Sequence, residues 1–551
     1  MASYLNPGFE NYQESLNAKI YIDKSDLIAI LNENISTTQK YICISRPRRF
    51  GKSVTANMLC AYYSKDTDSS FLFDNLKISK ADSYKEHLNR YNTIFINMQR
   101  FLSRAKNDID QMLNDLNNFI KEEICEQYPS IDVSKFTELY DVLDCVYQQS
   151  NNENEQIKKG FVFIIDEWDC ILREKQTDAT GIKKYLDYLR VLLKDQSYVA
   201  LAYMTGILPI KKYGSHSALN MFDEYSMTDP GEYASYIGFT KDEVINLCDT
   251  YQIDVNTMKK WYDGYSFDES LHLYNPNSVV KAIQRKKFSS YWTQTETFES
   301  LRRYIDLNME GLQDEIVKLI AGNEVVVNTA KFHNDMTTFE TKNDVLTLLI
   351  HLGYLAIVPD SELKGIDNDK IFAVHIPNEE IRKEFRNITE DNQNYPGIYS
   401  LISQSMDLLE KIYEKDNTAV AQAFDIAHQD HSSILKYNDD NSLSCVISLA
   451  LNLASVDLYN VYRELPAGKG FADMVYIPKQ GVEKPALLVE LKYNQSAITA
   501  IDQIKQKNYS RIFHDYKGEV LLVGINYDKD TKTHQCQIEK YEFPITKNLR
   551  D

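Results

Sequence analysis

The stretch Ser45-Arg46-Pro47-Arg48-Arg49-Phe50-Gly51-Lys52-Ser53-Val54 (SRPRRFGKSV) decides how the first third of the chain is read. It follows a short apolar run, Tyr41 to Ser45 (YICIS). It precedes VTANMLCAYY, whose apolar residues recur at helical spacing. Strand, loop and helix in that order put Gly51-Lys52-Ser53 where backbone N–H groups and the positive end of a helix can wrap a phosphate. In such a loop Lys52 reaches the β- and γ-phosphates and the Ser53 hydroxyl meets Mg²⁺. The place where a first glycine normally permits a tight turn holds Arg46. Pro47, with its fixed φ, offsets that loss. A bare G-K-S triplet also arises by chance, so a second element is needed.

Gly160 to Ile171 (GFVFIIDEWDCI) supplies it. Its apolar run reads as a fully buried parallel strand ending in Asp166-Glu167. The first acid suits the magnesium shell of a nucleotide, and the second suits polarising an attacking water. Read for structure alone, the same stretch is a core strand with two exposed acids at its tip. A third strand, Tyr198 to Met204, ends at Thr205-Gly206. Thr205 is either a sensor of the γ-phosphate or a turn residue.

With 551 residues the chain is too long for one core, and about three domains are expected. Apolar residues at 43% and charged residues at 26% fit a globular protein. No 18-residue apolar run suggests a membrane span, and Met1 to Glu10 lacks the order of a secretory signal. The eight cysteines are scattered without a C-x-x-C pair, which points to neither a zinc site nor a disulfide framework and to a reducing cytoplasm. The net charge of −19 counts against wholesale, non-specific binding to nucleic acid. It leaves room for a local basic groove. Arg46, Arg48 and Arg49, Arg285 to Lys287, and Lys505, Lys507 and Arg511 are the candidates, each of which also reads as a solvated face.

In the middle, Thr240 is an expected helix cap with Glu243 at the capping-box position. Trp261, Tyr262 and Tyr265 (WYDGYSF) read either as base-stacking rings or as core. Leu301 to Leu355 has a helical, apolar pattern, and Asp360 to Asp369 reads as a hairpin tip. His428 and His431 have one-turn spacing but no third ligand, so an exposed helix end is expected.

A second constellation spans Glu464 to Tyr509. After the Gly468-Lys469-Gly470 turn, Phe471, Asp473, Val475 and Ile477 alternate as on a strand. In ALLVELKY (Ala486 to Tyr493), Glu490 and Lys492 project from one face while Leu487, Val489 and Leu491 line the other. Two carboxylates brought together repel unless a cation sits between them. Asp473 and Glu490, with the Leu491 carbonyl, offer hard oxygen ligands for Mg²⁺ or Mn²⁺. Lys492 can position water or offset charge at phosphorus. The following helix (AITAIDQIKQKNY) presents Gln503 and Lys505.

RPRRFGKS, YIDKSDLI (Tyr21 to Ile28), IIDEWD and TGILPI (Thr205 to Ile210) resemble the bacterial AAA-ATPase-like proteins, in which R-P-R-R-F-G-K-S is the usual loop. The resemblance implies an ATP-binding P-loop domain of the additional-strand class. Arg46, Arg48, Arg49, Phe50, Gly51, Lys52, Ser53 and Val54 would form the nucleotide loop with Asp166 and Thr205. Ser53 and Asp166 would take the metal, and Glu167 would drive hydrolysis. WYDGY and LYNPNS (Leu273 to Ser278) match the region after that core, read as a helical lid. GKGFAD, LLVELKY, QIKQKNY and VLLVGINY (Val520 to Tyr527) are similar to the PD-(D/E)xK nuclease domain found behind such modules. Asp473, Glu490 and Lys492 would then be catalytic, with Gln503 as an accessory. Phe471 replaces a common arginine, and the acid expected on an upstream helix has only Asp439, Asp440 or Asn441 as candidates, so reduced or absent cleavage stays open. No Asn-Lys-x-Asp motif points to guanine.

The expected fold class is α/β: a P-loop ATPase core with a helical lid region, followed by a restriction-endonuclease-like α/β domain. The expected domains are 1–230, 231–395 and 396–551. The expected function is an ATP-binding and ATP-hydrolysing protein that regulates a metal-dependent nuclease cutting DNA, with defence against mobile DNA as the setting by analogy. RNA remains open as a substrate, a homo-oligomer is compatible, and Arg190 is one candidate arginine finger. The alternative is a nucleotide-dependent switch whose C-terminal domain binds nucleic acid or protein without cutting.

Overall fold

The computed structural model describes residues 4–130, 132, 135–149, 160–175, 178–210, 219–267, 270–292, 305, 309–320, 322–330, 332, 339–359, 370–389, 396–430, 451, 455, 458–467, 470–479, 481–507 and 518–541. The chain forms two compact units, residues 1–304 with 326–381, and residues 305–325 with 382–551.

The first unit is built on a five-stranded parallel sheet of β1 (Tyr41–Ser45), β2 (Asn92–Asn97), β3 (Phe161–Asp166), β4 (Val199–Gly206) and β5 (Asp223–Tyr225). The order is β2-β3-β4-β1-β5, so β4 lies between the strand before the loop and the strand that ends in Asp166. Every residue of β1, β3 and β4 is buried. A parallel sheet covered on both faces has no polar side, which is why these strands read as continuous apolar runs. The helix Lys52–Tyr63 runs from the loop and packs on β3.

A small sheet of β6 (Phe239–Thr240), β7 (Tyr265–Ser266) and β8 (His272–Tyr274), in the order β6-β8-β7, stands beside three helices. Thr240 caps the helix Lys241–Tyr251 in a capping box with Glu243. Asn275 accepts from the Ser278 amide at the start of Pro276–Arg285, with proline in the first turn. Most of the aromatic segment is core, with Trp261 partly buried against it. Tyr262 and Tyr265 are 0% and 1% exposed, and their hydroxyls donate to the Ser289 and Gly353 carbonyls. These two rings are not available to stack bases.

The stretch expected to be helical throughout is interrupted. Helices Leu312–Ile320 and Lys342–Leu352 flank β9 (Val325–Asn328), where three consecutive valines favour extended backbone. β10 (Ala356–Ile357) pairs antiparallel with β11 (Ile371–His375). The expected hairpin tip between them, 360–369, lies outside the described residues.

His351, on Lys342–Leu352, is 2% exposed and stacks on Phe332 with centroids 5.6 Å apart. Burial pushes its imidazole down to about 3. An unfolded histidine titrates near ~6.5, so stability is complete above that pH and is lost as pH falls toward the depressed folded value. The loss should approach about 1.4 kcal/mol per pH unit across that window. Urea titrations between the two values should show a shallower acid decline for His351→Leu than for wild type.

The second unit carries a mixed sheet of β12 (Tyr459–Ala467), β13 (Gly470–Pro478), β14 (Ala486–Tyr493), β15 (Val520–Asp528) and β16 (Thr533–Lys540), in that spatial order. Only the β14–β15 pair is parallel. One face packs on Pro396–Glu414 and Asn417–Asp430, with Leu408, Ile412 and Phe424 against Leu487, Val489 and Val523. The other face takes Ile501 and Ile504 of the helix Ala497–Lys507 against Leu488 and Leu522. Gly524 permits that approach, since a Cβ there would stand 2.4 Å from the Ala497 carbonyl oxygen. Among the described residues no helix is long and apolar enough to cross a membrane.

Candidate functional site

At the end of β1 the chain turns through Arg49 at φ +68° and Gly51 at φ +99°. Space around Gly51 is open, so it is the backbone conformation that calls for glycine. The Lys52 side chain curls back into the loop. Its Nζ donates to the Arg46 and Pro47 carbonyls at 3.0 Å each. Burial lowers its pKa, opposed by Glu167, Asp166 and Asp169. The Ser53 hydroxyl donates to Asp166 Oδ2 at 2.8 Å. Asp166 is 1% exposed, and burial, reinforced by Glu167, raises its pKa. Lysine, hydroxyl and paired acids are therefore gathered at the strand tips.

The other residues expected in the loop divide. Arg46 turns away. Its guanidinium is 0% exposed and donates to the carbonyls of Ser45, Tyr225 and Ser226 at 2.9, 3.3 and 3.1 Å. Where a glycine was expected, an arginine bolts the loop to β5. Arg49 donates to the Tyr291 carbonyl at 2.7 Å. The Arg48 carbonyl accepts from Asn275 Nδ2 at 3.3 Å. Phe50 is 1% exposed and meets Tyr265 edge-on. Val54 is exposed on the first turn of the helix. Thr205, next to last on β4, is fully buried with its hydroxyl donated to the Ile44 carbonyl at 3.0 Å. Arg190 is exposed and pairs with Asp187 one turn away.

Three features escaped the sequence. Asn97, at the tip of β2, donates from Nδ2 to Asp166 Oδ2 at 3.3 Å. Arg173 pairs with Glu167 and Asp169. A cavity of about 250 Å³ opens beside Gly51, Val54 and Thr55, lined by Tyr21, Ile22, Phe50, Met58 and Phe239. Only the spacing of Asp169 and Arg173, one helical turn apart, gave a local signal. The cavity draws its walls from segments far apart in the chain.

The second site forms where β13 and β14 run side by side. The register, Met474 against Val489, brings Asp473 next to Glu490. Asp473 Oδ2 accepts from the Leu491 amide at 2.7 Å. Glu490 is 1% exposed, with Lys492 Nζ 3.5 Å from its Oε1, and it also accepts from Gln503 Nε2 on Ala497–Lys507. Asp473, Glu490, Leu491, Lys492 and Gln503 thus come together. Asn526 of β15 lies beside Lys492 in the parallel register, and its Nδ2 is buried without a partner among the described residues. Sequence reading had no signal for it, because the neighbouring strand is needed to place it. The Glu464 and Phe471 side chains, His428, His431 and Asp439 to Asn441 lie outside the described side chains. Lys505 is spent in an ion pair with Glu539 at 2.6 Å.

The donor sets suit a hard cation, with a hydroxyl and carboxylate at the first site and two carboxylates at the second. Among the described residues no three His, Cys, Asp or Glu cluster closely enough to hold a metal. An ion at either place would need carbonyls, phosphate or water to complete its shell.

A parallel sheet with β4 inserted between the loop strand and the acidic strand defines a P-loop ATPase core, and the mixed sheet with paired carboxylates on β13 and β14 defines a nuclease-like domain. Comparison with known proteins agrees. Residues 7–215 match the AAA-ATPase-like family, described as predicted AAA-ATPase, and residues 444–537 match the PD-(D/E)XK nuclease superfamily. The chain therefore has an AAA-ATPase-like N-terminal region and a C-terminal PD-(D/E)XK superfamily domain.

An uncharacterized protein from the vnfD 5′ region of Azotobacter chroococcum is 24% identical over 373 residues, 66% of this chain and 64% of that protein. The chain thus aligns with less than two thirds of that relative's length. Among solved structures, a Walker-type ATPase of Pyrococcus abyssi is 12% identical and covers 66% of this chain and 94% of its own, with a TM-score of 0.31. The ORC2 protein of Aeropyrum pernix, solved with ADPNP and ADP, is 12% identical over 67% of this chain and 96% of its own, with a TM-score of 0.26. At those scores neither likeness bears on what this chain does.

Proposed function

We propose that the protein binds and hydrolyses ATP, and that this cycle regulates a metal-dependent nuclease that cuts DNA. The observation that carries the nuclease half is the meeting of Asp473, Glu490, Lys492 and Gln503 at one end of β14. In the ATPase half, the apolar cavity beside Gly51 is of a size and lining that suit a purine ring. Lys52, already desolvated, would exchange the Arg46 and Pro47 carbonyls for phosphate oxygens. Ser53 and Asp166 would hold magnesium, with Asn97 fixing the carboxylate, and Glu167 would orient the attacking water. Asp473 and Glu490 would hold Mg²⁺ or Mn²⁺, which when bound neutralises charge developing on the phosphodiester. The Leu491 amide and Gln503 aim the two carboxylates, and Lys492 would face the phosphate as a point charge. A cytoplasmic setting and a role against mobile DNA accompany this reading.

One observation favours the non-cleaving switch. Glu490 is nearly inaccessible and is held by both Lys492 and Gln503. The two readings separate in a plasmid and single-strand cleavage assay with Mn²⁺, with and without ATP. Cutting that depends on the metal and changes with ATP is expected. Intact DNA under every metal and nucleotide condition would leave the switch.

A further inference from the structure

We infer that Arg173 is a positioning residue for the ATPase step, holding the Glu167 carboxylate through a relay anchored on Asp169. The inference rests on the ATPase reading. Glu167 follows the last residue of β3 at φ +55°, a left-handed conformation that a side-chain-bearing residue keeps only when its surroundings enforce it. The enforcement is visible. Arg173, on the short helix Cys170–Glu174, donates from Nη2 to Glu167 Oε2 at 2.5 Å and from Nε to Asp169 Oδ2 at 3.0 Å. One planar guanidinium therefore bridges two carboxylates through two neighbouring N–H donors.

Asp169 is itself anchored by backbone amides. It is 0% exposed, and its Oδ2 also accepts from the amides of Ile207 at 3.1 Å and Leu208 at 2.9 Å. Those amides follow Gly206, the last residue of β4. A Cβ at Gly206 would stand 2.6 Å from Asp169 Oδ1, so Asp169 is packed directly on the strand end. The chain of contacts runs from β4 through Asp169 and Arg173 to Glu167. It fixes the glutamate against the strand between the loop strand and β3, although its own backbone has left the sheet. A lysine would offer one flexible ammonium in place of this fixed pair of donors. An ion pair also occupies a carboxylate oxygen that a water would need, so a brake on turnover is the opposing role that the experiment must separate.

The test is steady-state ATP hydrolysis by full-length Arg173→Ala, Arg173→Gln and Arg173→Lys, alone and combined with Glu167→Gln. The alanine and glutamine variants should lose about 10²-fold in kcat with KM for ATP little changed, as expected when orientation alone is lost. The lysine variant should recover part of the loss. Adding Arg173→Ala to Glu167→Gln should cost almost nothing more, because the arginine acts through the glutamate. Thermal melts identify any variant that fails to fold, and Arg173→Gln, which keeps most of the side chain, then carries the comparison. Turnover equal to or above wild type, a loss that appears in KM, or a loss additive with Glu167→Gln overturns the positioning role. Hydrolysis by wild type that vanishes in Lys52→Ala leaves the ATPase reading standing whatever the arginine variants do. Absence of hydrolysis in wild type removes both.

Discussion

Lys52→Ala is expected to reduce ATP turnover by about 10³-fold or more while leaving the fold intact. The lysine is 5% exposed and among the described residues has no carboxylate bonded to its amine; the loop's own carbonyls of Arg46 and Pro47 receive it. Burial already disfavours its charged form. In the absence of nucleotide the ammonium is therefore a cost carried by the folded protein, only partly offset by Asp166, Glu167 and Asp169. Removing it should leave the melting temperature unchanged or slightly raised, because Arg46 and Phe50 hold the loop by other contacts. With ATP present, the missing charge leaves the phosphates uncompensated. Parallel ATPase and melting measurements check both halves. A large fall in stability would show that Lys52 is chiefly a structural clamp.

Asp473→Ala is expected to abolish metal-dependent cleavage, by about 10³-fold or more, while ATP turnover stays within about twofold of wild type. Asp473 stands at the centre of its site. It touches the backbone of the strand that carries Glu490 and Lys492, and without it the remaining protein carboxylate is Glu490 alone among the described residues. Glu490→Gln should lose cleavage to a similar extent, and here Gln503 makes the outcome sharper. Its amide N–H donates to the carboxylate and can still donate to the amide oxygen of the variant, so a loss of cutting would report the missing charge rather than a broken contact. The readout is plasmid nicking with Mn²⁺ beside ATP hydrolysis on the same preparation. Retained cutting by Asp473→Ala would place the scissile chemistry elsewhere.

Much of this was legible from local pattern. FVFIID and ALLVELKY announce themselves because a buried parallel strand is uniformly apolar until its functional tip. Thr240 with Glu243, and Asn275 with Pro276, mark helix starts by capping chemistry within four residues. What stayed hidden depends on long-range neighbours. Arg46 read as part of the nucleotide loop, yet apart from Ser45 its partners are carbonyls some 180 residues onward, on and just after β5. Asn97 gains a role only when β2 is set beside β3. Val325–Asn328 carries an apolar run short enough to fit helix or strand, and its three valines decided the matter. Tyr262 and Tyr265 were ambiguous because an aromatic can serve a core or a base equally well, and only their burial separates the two uses.

If the protein works as proposed, each of its two carboxylate sites holds a divalent ion against a phosphate. Anomalous diffraction from crystals of the full-length protein grown with Mn²⁺ and a non-hydrolysable ATP analogue tests that most directly. The prediction is one manganese peak beside Ser53 and Asp166, with nucleotide density reaching into the cavity near Tyr21 and Met58, and a second peak between Asp473 and Glu490. Manganese absent from both places, or nucleotide bound away from Lys52, would contradict it.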